Sequence, residues 1–82
     1  MITEEQAKGF FINRIQKAGL RALPESDLVR IQALNGRIIG SVHLPRFIPE
    51  DSAEAENLLE SILVEALNAA GKDPGLRVNL RR

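Results

Sequence analysis

The chain of 82 residues carries 11 basic and 11 acidic side chains, one histidine and no cysteine. A chain this short makes one domain near the lower size limit of unaided folding, and without cysteine it has neither disulfides nor thiolate metal ligands as staples. Zero net charge is unusual for a dedicated nucleic-acid binder, an apolar fraction of 44% argues against disorder, and no apolar run approaches a membrane span.

The opening ITEEQ is acidic and unlike a signal peptide, so a soluble, cytoplasmic single domain over 1–82 is expected. Charge is distributed in blocks. Residues 28–49 hold Arg30, Arg37 and Arg46 without an acid, residues 50–65 hold six acids without a base, and residues 66–82 hold four bases against Asp73. Solvated surfaces and balance between neighbouring elements account for such blocks.

Thr3 opens the first helix. Its hydroxyl and the Gln6 side chain are spaced for a reciprocal capping box. Ala7, Phe11, Ile15 and Ala18 recur at helical spacing, and Gly19 is placed to end the helix in the left-handed conformation. Gly9 inside the helix costs about 1 kcal/mol against alanine, so the helix is locally weak there or something packs closely. Residues 20–27 form a connector. Pro24 lacks an N–H and biases Leu23 toward extended backbone.

Leu28 to Leu44 reads as two strands joined at Asn35-Gly36, the dipeptide best suited to a type I′ turn with a two-residue loop. That loop sets a register in which Leu34 faces Arg37, Ala33 faces Ile38, Ile31 faces Gly40 and Val29 faces Val42. Alternation then gives a dry face of Val29, Ile31, Ala33, Ile38, Val42 and Leu44. The opposite face carries Arg30, Gln32, Arg37, Ser41 and His43 with Leu28, Leu34 and Ile39. Pro45 and Pro49 end the strand, and Phe47 and Ile48 between them are expected to be buried locally.

Asp51 or Ser52 caps the second helix, with Glu54 at capping-box spacing from Asp51. Its stripe of Ala55, Leu58, Leu59, Ile62, Leu63, Ala66, Leu67 and Ala70 is the broadest in the chain, and Gly71 and Pro74 stop it. The stripe is wider than a coiled-coil seam and leaves surplus apolar surface that a second copy would cover. Leu76 to Leu80 alternates and reads as a third strand. A right-handed crossover through the helix makes it parallel to the second strand, beside the first. The expected fold is therefore α+β, an α-β-β-α-β two-layer sandwich whose three-stranded sheet has order 2-1-3 with both helices on one face.

Catalysis has little footing in this sequence. His43 is the sole histidine, no serine has an elbow-like glycine context, no G-x-G-x-x-G loop exists, and the glutamates of the second helix lack a histidine at ligand spacing. The expectation is a protein that is not an enzyme and binds no cofactor, metal or small-molecule substrate. The open sheet face instead gathers Arg30, Arg37, His43, Arg77 and Arg81 with Ile39. Arginine suits phosphate and base-edge contacts, yet no stacking aromatic lies among these residues, and the leucines and isoleucine suit protein contact. LVRI, Asn35-Gly36, Val42 to Leu44 and LVEALNAA together resemble the YbaB/EbfC nucleoid-associated proteins. The resemblance spans Leu28 to Ala70 and implies DNA binding. The Pro45–Pro49 link and the short first helix depart from that family, whose first helix is longer and rich in glutamine and lysine. The expected function is a small non-enzymatic protein-interaction module, a homodimeric adaptor or subunit contacting its partner through Arg30, Arg37, Ile39, His43, Arg77 and Arg81. Nucleic-acid binding through the arginine face is the alternative, and no membrane is involved.

Overall fold

Local sequence signals place the elements of the computed structural model, which describes residues 2–71. Helix α1 covers Glu4–Lys17. The Thr3 hydroxyl accepts from the Gln6 N–H at 3.1 Å, and the Gln6 side chain accepts from the Thr3 N–H at 2.9 Å. The helix ends in a Schellman motif at Gly19, whose φ is +84°. There the Gly19 N–H donates to Gln16 O and the Leu20 N–H to Ile15 O. Strands β1 (Arg21–Pro24), β2 (Leu28–Gln32) and β3 (Ile38–His43) follow, and then α2 (Ser52–Gly71). Asp51 caps α2 by accepting from the Glu54 N–H at 3.0 Å. Two helices and a three-stranded antiparallel sheet make an α+β fold.

Strand β1 lies where a connector is expected. It pairs antiparallel with β2, with Arg21 opposite Gln32 and Leu23 opposite Arg30. The Glu25 N–H donates to Leu28 O at 2.8 Å, so residues 21, 23 and 25 face β2 across the ladder. The nitrogen of Pro24 therefore points away from the ladder, and an edge strand tolerates it there. The sheet runs β1-β2-β3 with β2 in the centre. This corrects the expected order 2-1-3, because β1 fills the position beside the first hairpin strand that Leu76–Leu80 was expected to take. Leu76–Leu80 itself lies outside the described residues.

The β2–β3 connection also differs from expectation. Gly36 has φ +94°, but Asn35 does not have positive φ, which excludes a type I′ turn. The Gly36 N–H donates to Ala33 O and the Ala33 N–H to Arg37 O, so the loop has three residues, Leu34-Asn35-Gly36, with glycine in the left-handed bulge position. The Asn35 side chain holds this turn by accepting from the Arg37 N–H at 3.0 Å. Farther along, Ile31 opposes Gly40 and Val29 opposes Val42 as expected, while Gln32 opposes Ile38 across a register shift. Ile39 is the extra residue on β3. The shift turns Ile38 outward, 44% exposed, and brings Ile39 against the core. Ile38 is thus not part of the dry face.

The core joins Ala7, Phe11 and Ile15 of α1, Val29, Ile31 and Val42 of the sheet, and Leu59, Leu63 and Ala70 of α2. The 20 residues of α2 form one continuous helix, and its Ala70 reaches β3 at Gly40. A Cβ on Gly40 would stand 3.6 Å from the Ala70 Cβ. Between the two prolines, Ile48 packs on the core as expected, whereas Phe47 is 72% exposed. Pro45 and Pro49 hold a short link that buries one of the two side chains and turns the other to solvent.

Candidate interaction face

Alternation along three paired strands decides what the sheet shows on the side away from the core. Cross-strand neighbours Arg21, Gln32 and Ile38 make one row, and Leu23, Arg30 and Ser41 the next. Leu28 and His43 make the third. Leu23 is 38% exposed, and at the turn Leu34 is 67% exposed. Ile38 is 44% exposed, so large apolar side chains stand in water beside the arginines of this face.

Arg30, expected on this face, is there. Its Nε donates to Glu25 Oε2 at 2.6 Å, and that hydrogen bond and charge raise the guanidinium above its ordinary pKa. Glu25 belongs to the β1–β2 turn, so the hairpin that brings β1 into the sheet also supplies the counter-charge. His43 is exposed on the same face, its Nε2 3.4 Å from Ser41 Oγ. Arg37 is exposed at the turn, but the register puts it opposite the buried Ala33 and not on the open face. Ile39 packs against the core. Arg77 and Arg81 lie outside the described residues. The structure therefore brings Arg30 and His43 together on one face and sets Arg37 and Ile39 apart from them.

Three contributors escape a reading of the sequence: Arg21 and Leu23, because β1 is hidden in the connector, and Ile38, because the bulge is silent. A signal for β1 does exist. Pro24-Glu25-Ser26-Asp27 is a turn-forming run immediately before β2 and so marks a hairpin whose first strand must precede it.

Between the helices, Arg14 of α1 binds Glu60 of α2 through both terminal guanidinium nitrogens, the second at 2.7 Å to Glu60 Oε2. The Arg14 guanidinium also lies 5.5 Å from the Phe10 ring centroid. This hydrogen bonding holds the Glu60 carboxyl below its ordinary range and raises Arg14, with partial burial opposing both shifts. The pair ties the helices together.

Among the described residues no group of three or more His, Asp or Glu side chains is placed to hold a metal ion, and no helix is long and apolar enough to cross a membrane. No family model matches the chain, and neither a curated protein nor a solved structure matches it.

Proposed function

We propose that this protein is a small non-enzymatic interaction module that associates with a second copy of itself through the open face of its sheet. The reading takes both helices to cover one face, as in a two-layer arrangement, and leaves the other for a partner. The observation that carries it is the exposure of Leu23, Ile38 and Leu34 beside Arg21 and Arg30. Apolar side chains interleaved with arginine are the composition that protein interfaces favour, and a two-fold axis lets one such patch meet its own copy. Ile38 and Leu23 flank Arg30 at the centre of the face and would serve as its anchors, with the Arg30–Glu25 pair between strands β1 and β2 supplying the polar contact.

Light scattering at rising protein concentration tests this reading. Wild-type protein is expected at twice the monomer mass, and Leu23→Glu/Ile38→Glu at the monomer mass with its far-UV circular dichroism unchanged. A wild-type monomer at high micromolar concentration would overturn it.

The basic side chains of the same face favour a second reading, binding of nucleic acid. Against it, Glu25 already engages Arg30, and α2 contains no basic residue to extend the patch. Phosphate contacts release counterions, so this reading requires duplex DNA or RNA binding that weakens steeply with salt and falls on Arg21→Glu/Arg30→Glu. A mobility shift indifferent to both would dispose of it.

A further inference from the structure

We propose that the outer edge of β3, with the groove between β3 and α2, takes an extended basic peptide of another protein as an added antiparallel strand. The hydrogen-bond alternation of the sheet supports this. The Leu44 N–H donates to Asp27 O and the Ala33 N–H to Arg37 O, so Val42 and Gly40 exchange their bonds with β2. The main-chain groups of Ser41 and His43 consequently point away from β2, and no described strand pairs with them. An N–H and a C=O on each residue make a short template for strand addition. The bulge at Ile39 ends this template on one side, and Pro45, which has no N–H, ends it on the other.

The groove beside this edge sets which side chains such a strand carries. Its volume is about 490 Å³, and it is lined by Val42 and Leu44 on the strand side and by Ile62, Ala66 and Ala69 of α2. Two of the three helix positions are alanine, so the wall is low and apolar. In an antiparallel pairing, the peptide residues opposite Ser41 and His43 exchange main-chain bonds with them and turn their side chains to the open face. The residue between them, opposite Val42, points its side chain along the helix wall, as do its neighbours two positions away. Apolar side chains or aliphatic stems fit there.

Charge complementarity identifies the peptide as basic. Over Ser52–Gly71, α2 carries Glu54, Glu56, Glu60 and Glu65 and no basic residue. Glu60 is held by Arg14, whereas Glu65 stands at the groove, with neither lysine nor arginine among the described residues that line it. A lysine opposite Val42 would lay its methylene stem on the alanines of α2 and carry its ammonium group to Glu65. The recognised chemistry is therefore a strand in which polar residues alternate with aliphatic ones, one of the latter exchanged for lysine. This goes beyond association with a second copy, which uses the side chains of the open face and leaves the main chain of the edge unused.

A blocked seven-residue peptide tests the proposal, with threonine at its odd positions and valine, lysine and valine at the even ones. Hydrogen exchange is followed at the Ser41 and His43 amides of the full chain. Both are expected to exchange fast without peptide and to become protected at millimolar peptide, with Val29 and Ile31 unaffected. Replacing the peptide's lysine by glutamate should weaken binding about fivefold, and Glu65→Lys should reverse that preference. Glu65 is exposed, so this substitution leaves the fold intact. N-methylation of the two threonines that flank the lysine should abolish binding, because their N–H groups face Ser41 and His43. Absence of protection at millimolar peptide would overturn the proposal. So would binding indifferent to the charge exchange, and so would binding that survives N-methylation. Protection of both amides in the peptide-free protein would also overturn it, assigning the edge to the chain itself where it is independent of protein concentration and to a second copy where it grows with concentration. Failure of this proposal and failure of the dimer reading are separable, since one is read at two amides of an edge and the other in the mass of the particle.

Discussion

Glu60 grips Arg14 from the neighbouring helix, and the consequence for stability follows from the direction of its pKa. Hydrogen bonding to Arg14 lowers the folded-state value below the ordinary 4.5, so between the two values the unfolded chain binds more protons than the folded one. The pair's contribution is therefore fully present above the unfolded pKa and is lost as pH falls through the lowered folded one. Both side chains are more than a third exposed, so the effect is small and weakens with salt. Thermal unfolding of wild type and Glu60→Gln should differ at pH 7 and converge as pH falls below the ordinary carboxylate value. A gap unchanged down to that acidity would show that the pair contributes by packing alone. At the same scale, Ile38 and Ile39 make a direct comparison. Ile39→Lys places a charge against the core and should cost about 1–3 kcal/mol in urea unfolding, while Ile38→Lys on the open face should cost less than about 0.5 kcal/mol of monomer stability. Equal costs would contradict the register shift at Ile39.

The starts of both helices and the glycine stop of α1 were legible in the chain because each depends on a few neighbouring residues. Thr3, Gln6 and Gly19 act within one turn of backbone, and the structure has the capping box and the stop that they encode. The hairpin was legible in its strands and misread in its turn. Asn35-Gly36 suits a type I′ turn, yet it serves equally in a type I turn closed by a left-handed glycine, and nothing local separates the two. The choice moves the register by one residue, and a period-2 pattern then assigns Ile38, Ile39 and Arg37 to the wrong sides. Strand β1 was obscured by Pro24, whose cost depends on having one neighbour rather than two, a property of the sheet and not of the residue. Of the candidate face, Arg30 and His43 were readable because they lie on the part of the hairpin where the register holds. Gly9 is the element-scale case in which the structure decides between two readings. A Cβ there would meet no heavy atom of the described residues within 4 Å, so none of them packs closely and the helix bears the entropic cost. Gly9→Ala is expected to raise stability by about 0.5–1 kcal/mol in chemical denaturation. A loss would reveal a contact with residues outside 2–71.

Across the whole molecule, acidic and basic side chains beyond α1 are sorted into different elements. The core is closed by two helices on a small sheet. The acids of residues 50–65 ride on α2 and the link before it, while arginine and three large aliphatic side chains share the open face and its turn. A domain of this size has little stability to spare, so burial of the open face against a second copy would count for much of the total. Under the dimer reading, folding and association are then linked by mass action, and the unfolding temperature is itself a report on the interface. Each tenfold rise in protein concentration above the dissociation constant should add ~1.4 kcal/mol per dimer, visible as a steady upward drift of the midpoint. Leu23→Glu/Ile38→Glu should flatten that drift while leaving the midpoint at low concentration nearly where it was, because neither side chain belongs to the monomer's core. A wild-type midpoint indifferent to concentration over two decades would sink the dimer. A drift that persists in the double variant would move the interface off this face and onto another part of the surface, the exposed Phe47 between its prolines being the next to substitute.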